Sequence, residues 1–298
     1  MRLTKRINAS RKHLALSAPR HTTQERQNSD FDAALAATIL TDAAVRAGAA
    51  IMRYYREGTK VELKADQSPV TQADKASETI VLEALHRLAP DVPVVSEEIA
   101  TDRTAPLGPR FFLVDPLDGT KEFIQKRSDF TVNIALVENG SPRFGLVYAP
   151  ARSLLATTPA SGKAIEVTVE PSEHGADLAA LDCRNLHVRT PAPDGLVAVV
   201  SRSHLDPATE SFLAKLKIAG RSDAGSALKF LEVARGVADV YPRFGPTMEW
   251  DTAAGHAVLT AAGGFVVDAE GKPLRYGKTE TGLLNPGFVA WGQKAAAV

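Results

Sequence analysis

The sequence predicts a layered α/β fold, an α+β sandwich in which helical and sheet layers alternate. Three observations point there. Segments of helical period interleave with short strand-like runs along nearly the whole chain, the pattern of mixed layers. Hydrophobic residues make up 44% of 298 positions, enough for a substantial core. One apolar run, Phe111-Phe112-Leu113-Val114, reads as a buried strand and stops abruptly at Asp115-Pro116-Leu117-Asp118-Gly119-Thr120.

The elements follow in order. A first helix spans about 32–57, with Leu35, Ile39, Ala43, Ala47, Ile51 and Tyr54 at helical spacing and Gly58 as its stop. Residues 61–64 form a short strand. A second helix covers 72–88, with Ile80, Leu85 and Leu88 facing inward and Pro90 beyond it. Residues 92–95 make a short strand that leads into Glu97-Glu98. The next strand ends at Asp115, because Pro116 has no amide hydrogen to give to a ladder. Residues 130–137 and 143–148 alternate as two strands about Glu138-Asn139-Gly140, a hairpin signal.

The stretch 150–195 is rich in Ala, Pro and polar groups and is weakly patterned. It places a domain boundary near 160, between an N-terminal α+β domain (31–160) and a C-terminal α/β domain (161–298). Beyond it come a strand at 196–200, a helical segment at 226–237, a strand at 238–241 and a helix at 252–262. Strands at 265–267 and 287–291 complete the core.

Composition excludes several classes. The 35 Lys and Arg balance the 35 Asp and Glu, so bulk electrostatics give no sign of nucleic-acid binding. No continuous apolar run approaches the ~20 residues of a transmembrane segment. Cys183 is the only cysteine, which rules out an internal disulfide, disfavours a Cys-based zinc site and fits a cytoplasmic compartment. Residues 1–30 are basic and acid-poor, with Arg2, Lys5, Arg6, Arg11, Lys12, Arg20 and Arg26 against Glu25 and Asp30. They read as a disordered extension or an over-extended start. Polybasic segments of this kind can also touch the inner face of a membrane.

The chemistry sits first in Asp115-Pro116-Leu117-Asp118-Gly119-Thr120. The turn can aim both carboxylates at one point with the Leu117 carbonyl between them. Three hard oxygen donors in four residues suit Mg²⁺ better than Zn²⁺. Gly119 lets the backbone approach an anion closely. Three more acidic positions stand out. Glu97 ends a short apolar strand. Asp74, in Thr71-Gln72-Ala73-Asp74, has the spacing of a capping box. Asp251, in Trp250-Asp251-Thr252-Ala253-Ala254-Gly255, opens a helix, where an aspartate usually serves as a cap. The histidines offer no nucleophilic triad.

Taken together, these strings resemble the inositol-monophosphatase superfamily of magnesium-dependent, lithium-sensitive phosphatases. Pro69-Val70-Thr71-Gln72-Ala73-Asp74, Ser96-Glu97-Glu98, Asp115 to Thr120 and Trp250 to Gly255 are similar to its four motifs, over about residues 32–292. The resemblance implies that superfamily's sugar-phosphatase fold and a centre of two or three Mg²⁺ ions. It implies Glu97, Asp115, the Leu117 carbonyl, Asp118 and Asp251 as ligands, and the Gly119 and Thr120 backbone as phosphate cradle. Asp74 and Thr120, with Glu97, would orient and deprotonate the attacking water.

Four further strings narrow the likeness to bisphosphate nucleotidases. They are Gly119 to Ile124, Ser201-Arg202-Ser203-His204, Gly225 to Phe230 and Tyr241 to Asp251. That branch removes the 3′-phosphate of adenosine 3′,5′-bisphosphate, a by-product of sulfate assimilation. It implies Ser226, Lys229 and Arg243 as nucleotide contacts, in a monomer or homodimer. Inositol phosphatases carry an acidic residue at the position of Arg243, and an arginine fork suits a second phosphate. An inositol-1-phosphate or sugar-bisphosphate phosphatase is the nearest alternative reading, and a non-catalytic nucleotide sensor is another.

Overall fold

The computed structural model describes residues 31–63, 69–99, 104–202 and 205–293. The basic extension and Ser203-His204 of the sequence reading lie outside them. Helix α1 (Ala33–Glu57) is capped by Asp32, whose Oδ1 accepts the Ala34 and Leu35 amides at 3.0 and 2.9 Å, and it stops at Gly58, φ 88°. Its buried face is Ala36, Ala37, Leu40, Ala43, Ala44, Ala47 and Ile51. Leu35, one of the residues at helical spacing, is 51% exposed. The small alanine side chains make the packing face, and the larger residue beside it is left to solvent. Among the described residues, α1 is long and apolar enough to cross a membrane by length and composition. A search for continuous apolar runs passes over it because Thr38, Thr41, Asp42 and Arg46 interrupt the pattern. It is the core helix here, packed on helix α2 (Gln72–Leu88) and on the first sheet.

Helix α2 also differs from its expected face. Leu85 is buried, but Ile80 and Leu88 are only partly so. The inward stripe is Ala73, Asp74, Ser77, Glu78, Val81, Ala84 and Leu85. Three of its seven members are polar, so hydrophobicity alone misjudges the angle. Ser77 Oγ donates to the Pro116 carbonyl at 2.7 Å and Ser96 Oγ to Glu78 Oε1 at 2.5 Å, which satisfies these buried groups.

Two large sheets carry the fold. Strands β1 (Val61–Leu63) and β2 (Pro69–Thr71) form a small antiparallel pair. The first large sheet runs β3-β4-β5-β6-β7-β8-β9. Its strands are β3 (Val94–Ser96), β4 (Arg110–Asp118), β5 (Thr131–Glu138), β6 (Ser141–Ala149), β7 (Leu154–Ala160), β8 (Lys163–Thr168) and β9 (Cys183–Asn185). Strand β3 is parallel to β4, and the remaining pairs are antiparallel. The hairpin between β5 and β6 turns on Asn139 (φ 50°) and Gly140 (φ 73°), the two left-handed residues that a type I′ turn needs. The last three strands fall in the weakly patterned stretch, so this sheet extends past the boundary expected near 160.

The second sheet runs β11-β10-β12-β14-β13. It contains β10 (Leu196–Ser201), β11 (Ile218–Ala224), β12 (Val240–Arg243), β13 (Phe265–Asp268) and β14 (Phe288–Trp291). Helices α5 (Leu228–Ala234) and α6 (Glu249–Ala261) lie between the sheets. The shared core joins Phe111 and Leu113 of β4 to Val199, Phe230, Tyr241, Trp250, Val258 and Phe288. On the far side of β10, Leu196, Ala198 and Val200 pack with Leu213 of helix α4 (Pro207–Leu213). The alternation along β10 thus serves two layers. Burying one such Leu, Val or Phe contributes roughly 1.5–3 kcal/mol. The alternating layers expected from the sequence are present.

One strand end departs from expectation. Strand β4 does not stop at Pro116. Asp115 pairs with Asn133 and Asp118 with Thr131, so three steps on β4 match two on β5. This is a bulge, where a residue without an amide hydrogen is tolerated.

Candidate active site

The bulge does the aiming that the sequence assigned to a turn. Asp115 Oδ1 accepts the Leu117 amide at 3.0 Å, which folds the chain so that Asp118 returns to the same side. Asp251 arrives from the first turn of α6, its Oδ2 holding the Met248 amide at 2.8 Å. Carboxylate oxygens of Asp115, Asp118 and Asp251 all lie within 4.8 Å of one another. Glu97 follows β3 beside Val114, donating its amide to that carbonyl at 3.1 Å. It lines the same cleft of about 290 Å³, with Leu117, Gly119, Thr120, Ser226, Lys229 and Arg243.

Crowding buried carboxylates raises their pKa values. Burial is the main cause at Asp115, with Glu97, Asp118 and Asp251 adding to it; Asp251 is raised likewise. Asp118 is pushed up to about 6 by burial, against the opposing pull of Lys229 and of Asn133, whose Nδ2 donates at 3.2 Å. Such a cluster of hard anionic oxygens fits a divalent cation such as Mg²⁺, which would satisfy charges that burial disfavours.

Asp74 divides its duties between two oxygens. Oδ2 accepts the Thr71 amide and hydroxyl, both at 2.7 Å, which is the capping box expected from sequence. Oδ1 faces the Thr120 hydroxyl at 3.4 Å, and that hydroxyl is 3.3 Å from the Leu117 carbonyl. Burial pushes the Asp74 pKa up to about 6, against the Thr71 hydrogen bonds. A carboxylate with that pKa is a competent proton acceptor near neutrality. Gly119 has φ 91°, and a Cβ there would stand 2.3 Å from Ser226 Oγ, so only glycine fits.

The opposite wall is cationic. Lys229 and Arg243 are 5% and 8% exposed. Lys229 Nζ donates to the Ser226 carbonyl at 2.6 Å and sits 5.3 Å from the Tyr241 ring centroid. Burial lowers its pKa to about 8, Asp118 opposing and Arg243 adding to the fall. Arg243 donates to the carbonyls of Gly245 and Pro246 at 3.3 and 3.1 Å. The structure therefore gathers every site residue expected from sequence into one cleft, except that Asp74 reaches it through Thr120.

Sequence reasoning missed several supports. Asn133 orients Asp118. Asn285 Nδ2 holds the Met248 carbonyl at 2.8 Å and Thr252 Oγ1 at 3.0 Å, fixing the start of α6. Asp129, in the loop between α3 (Thr120–Ile124) and β5, accepts the Gly225 amide at 3.0 Å. Their partners are remote in sequence, so no local string signals them.

Comparison with known proteins agrees with this geometry. The model of the inositol monophosphatase family matches residues 32–296. The 3′(2′),5′-bisphosphate nucleotidase CysQ of Escherichia coli (strain K12) is 47% identical over 246 residues, covering 81% of this chain and 94% of that protein. The crystal structure of CysQ from Bacteroides thetaiotaomicron superposes with a TM-score of 0.72 at 38% identity, over 88% of this chain and 98% of that one. The suhB protein of Bartonella henselae gives 0.64 at 25% identity, over 87% and 94%. The chain belongs to the inositol monophosphatase family.

Proposed function

We propose that this member of the inositol monophosphatase family is a magnesium-dependent 3′(2′),5′-bisphosphate nucleotidase, a phosphoric monoester hydrolase. Its reaction is hydrolysis of the 3′-phosphate of adenosine 3′,5′-bisphosphate to AMP and phosphate. The observation that carries the substrate is the pair of buried cations, Lys229 and Arg243, facing three clustered carboxylates across one cleft. A substrate with one phosphate needs only the carboxylate side and its cations. Two buried cations on the other wall suit a second phosphate.

Asp115, Asp118 and Asp251, with Glu97 and the Leu117 carbonyl, would hold two or three Mg²⁺ ions, whose charge neutralises the phosphate and acidifies water. The amides of Gly119 and Thr120 would cradle the reacting phosphate. The Thr120 hydroxyl takes the water's proton as it passes its own to Asp74 Oδ1. The P–O3′ bond breaks while the bond from the water oxygen to phosphorus forms, and the departing O3′ takes a proton from solvent water to become the 3′-hydroxyl of AMP. Ser226, Lys229 and Arg243 hold the nucleotide and its 5′-phosphate in place.

The test is phosphate release by the purified protein with Mg²⁺, comparing adenosine 3′,5′-bisphosphate with inositol-1-phosphate at equal low concentration. We expect kcat/KM to favour the nucleotide by about 10-fold or more. A preference for inositol-1-phosphate or a sugar bisphosphate would keep the reaction class and overturn the substrate. Nucleotide binding without phosphate release would make the protein a sensor.

A further inference from the structure

Asp129 follows α3 and precedes β5. Its side chain is fully buried, yet it carries no role in the reaction described above. Its Oδ1 pairs with Arg152 Nη2 and lies 3.4 Å from the Ser128 hydroxyl. Its Oδ2 accepts Arg202 Nη1 at 2.9 Å and the Gly225 amide at 3.0 Å. Its backbone carbonyl is 2.7 Å from Ser226 Oγ, which is also 2.9 Å from the Asp118 carbonyl. Arg202, just beyond β10, pairs in turn with Asp223 of β11. One carboxylate of the first half therefore holds Arg202, just past β10, and the turn that follows β11 in the second. Burial alone would raise its pKa, but Arg152, the Gly225 amide and Arg202 hold it below the ordinary carboxylate range.

The turn it grips is strained. Ser226 has φ 51°, a left-handed conformation that a non-glycine residue keeps only when its surroundings enforce it. There is no slack around it. A Cβ on Gly225 would lie 2.7 Å from both Asp129 Cβ and the Asp129 carbonyl oxygen. The Ser226 carbonyl, in turn, receives Lys229 Nζ at 2.6 Å. A chain of contacts thus runs from Asp129, through Gly225 and the strained Ser226, to the lysine that faces the cleft.

We propose that Asp129 is a positioning residue: it docks the Gly225–Ser226 turn against Gly119 and so places Lys229 for the nucleotide. The inference rests on the nucleotidase reading.

The test compares Asp129→Asn and Asp129→Glu with the wild type on adenosine 3′,5′-bisphosphate and inositol-1-phosphate, with a Mg²⁺ titration and thermal melting. For Asp129→Asn, KM for the nucleotide should rise about 10-fold or more, with kcat changed less than about 3-fold. Inositol-1-phosphate kcat/KM and the Mg²⁺ requirement should stay within about 2-fold. Asp129→Glu should recover most of the nucleotide KM. Equal losses on both substrates, or an unchanged nucleotide KM, would overturn the proposal. If Asp129→Asn does not fold, Arg202→Gln keeps the Asp129–Arg152 pair and is read the same way. A wild type without nucleotide preference would remove the nucleotidase reading. A wild type with that preference, unmoved in Asp129→Asn, would remove only this inference.

Discussion

Along one wall of the cleft, Asp115, Asp118 and Asp251 crowd three carboxylates together, and burial pushes their pKa values up. Along the other, Lys229 and Arg243 are buried as cations, and burial pulls the Lys229 pKa down to about 8. The acidic wall stands on the bulged end of β4, held between β3 and β5, and on the start of α6. The basic wall stands on a seven-residue helix and on a short strand followed by a loop. Both walls carry charges that burial disfavours, and each prefers a ligand of opposite sign. Divalent cations and a bisphosphate supply both signs at once. In the nucleotidase we propose, the acidic wall would serve reactivity toward any phosphate ester, and the basic wall selection among esters.

The largest effect should follow from breaking the acidic wall. Asp118→Asn should lower kcat/KM by roughly 10³-fold or more on every substrate, through weakened metal binding. Near-normal activity at saturating Mg²⁺ would remove Asp118 from the ligand set. The same variant should melt higher than wild type in chelator, because a carboxylate with a pKa of about 6 costs a few kcal/mol when ionised at pH 7.

Breaking the basic wall should act selectively. Arg243→Glu should reduce kcat/KM for adenosine 3′,5′-bisphosphate about 100-fold more than for inositol-1-phosphate. Parallel losses on the two substrates would dissolve the division between the walls. Lithium offers a milder probe of the acidic wall alone. Li⁺ should inhibit partially by replacing a loosely held Mg²⁺, to the same degree with either substrate. Insensitivity would mark a metal centre unlike that of the family.

A change at a buried group that lines neither wall sets the baseline. His256 is buried, its Nδ1 3.0 Å from the Tyr276 hydroxyl, and burial lowers its pKa from 6.5 to about 3. A depressed histidine favours the folded state above its unfolded pKa, and that contribution is lost as pH falls from 6.5 toward 3. By pH 5 the loss amounts to about 2 kcal/mol. His256→Gln should flatten this acid limb in urea unfolding while leaving kcat/KM at neutral pH near wild type. An unaltered limb would show that other groups control acid unfolding.

Legibility in the sequence followed the same division. The acidic wall was readable because its residues sit in compact strings at strand and helix ends, where Pro, Gly and hydroxyl residues punctuate an apolar pattern. The capping roles of Asp74 and Asp251 were readable for the same reason, since caps are local. Strand β11, with Gly220, Arg221 and Asp223, and helix α4 left no periodic trace. An edge strand with an exposed face and a seven-residue helix are too short or too polar for periodicity to register. The inward face of α2 was misjudged because Asp74, Ser77 and Glu78 are buried for their hydrogen bonds, which a hydrophobic pattern cannot report.

By itself, the sequence determined the order of the strongly patterned helices and strands, the layered class, and the identity of the acidic and basic residues. These rest on periodicity, turn chemistry and short strings, all interactions between near neighbours. Only the tertiary structure decided that β4 passes through Pro116 on a bulge, that Asp74 Oδ1 meets the Thr120 hydroxyl, and that Asp129 clamps the turn bearing Ser226. Each depends on partners more than a dozen residues away, brought together by sheet pairing and the packing of loops against it. Distances of that kind are set by the whole fold, and no local stretch of chain contains them.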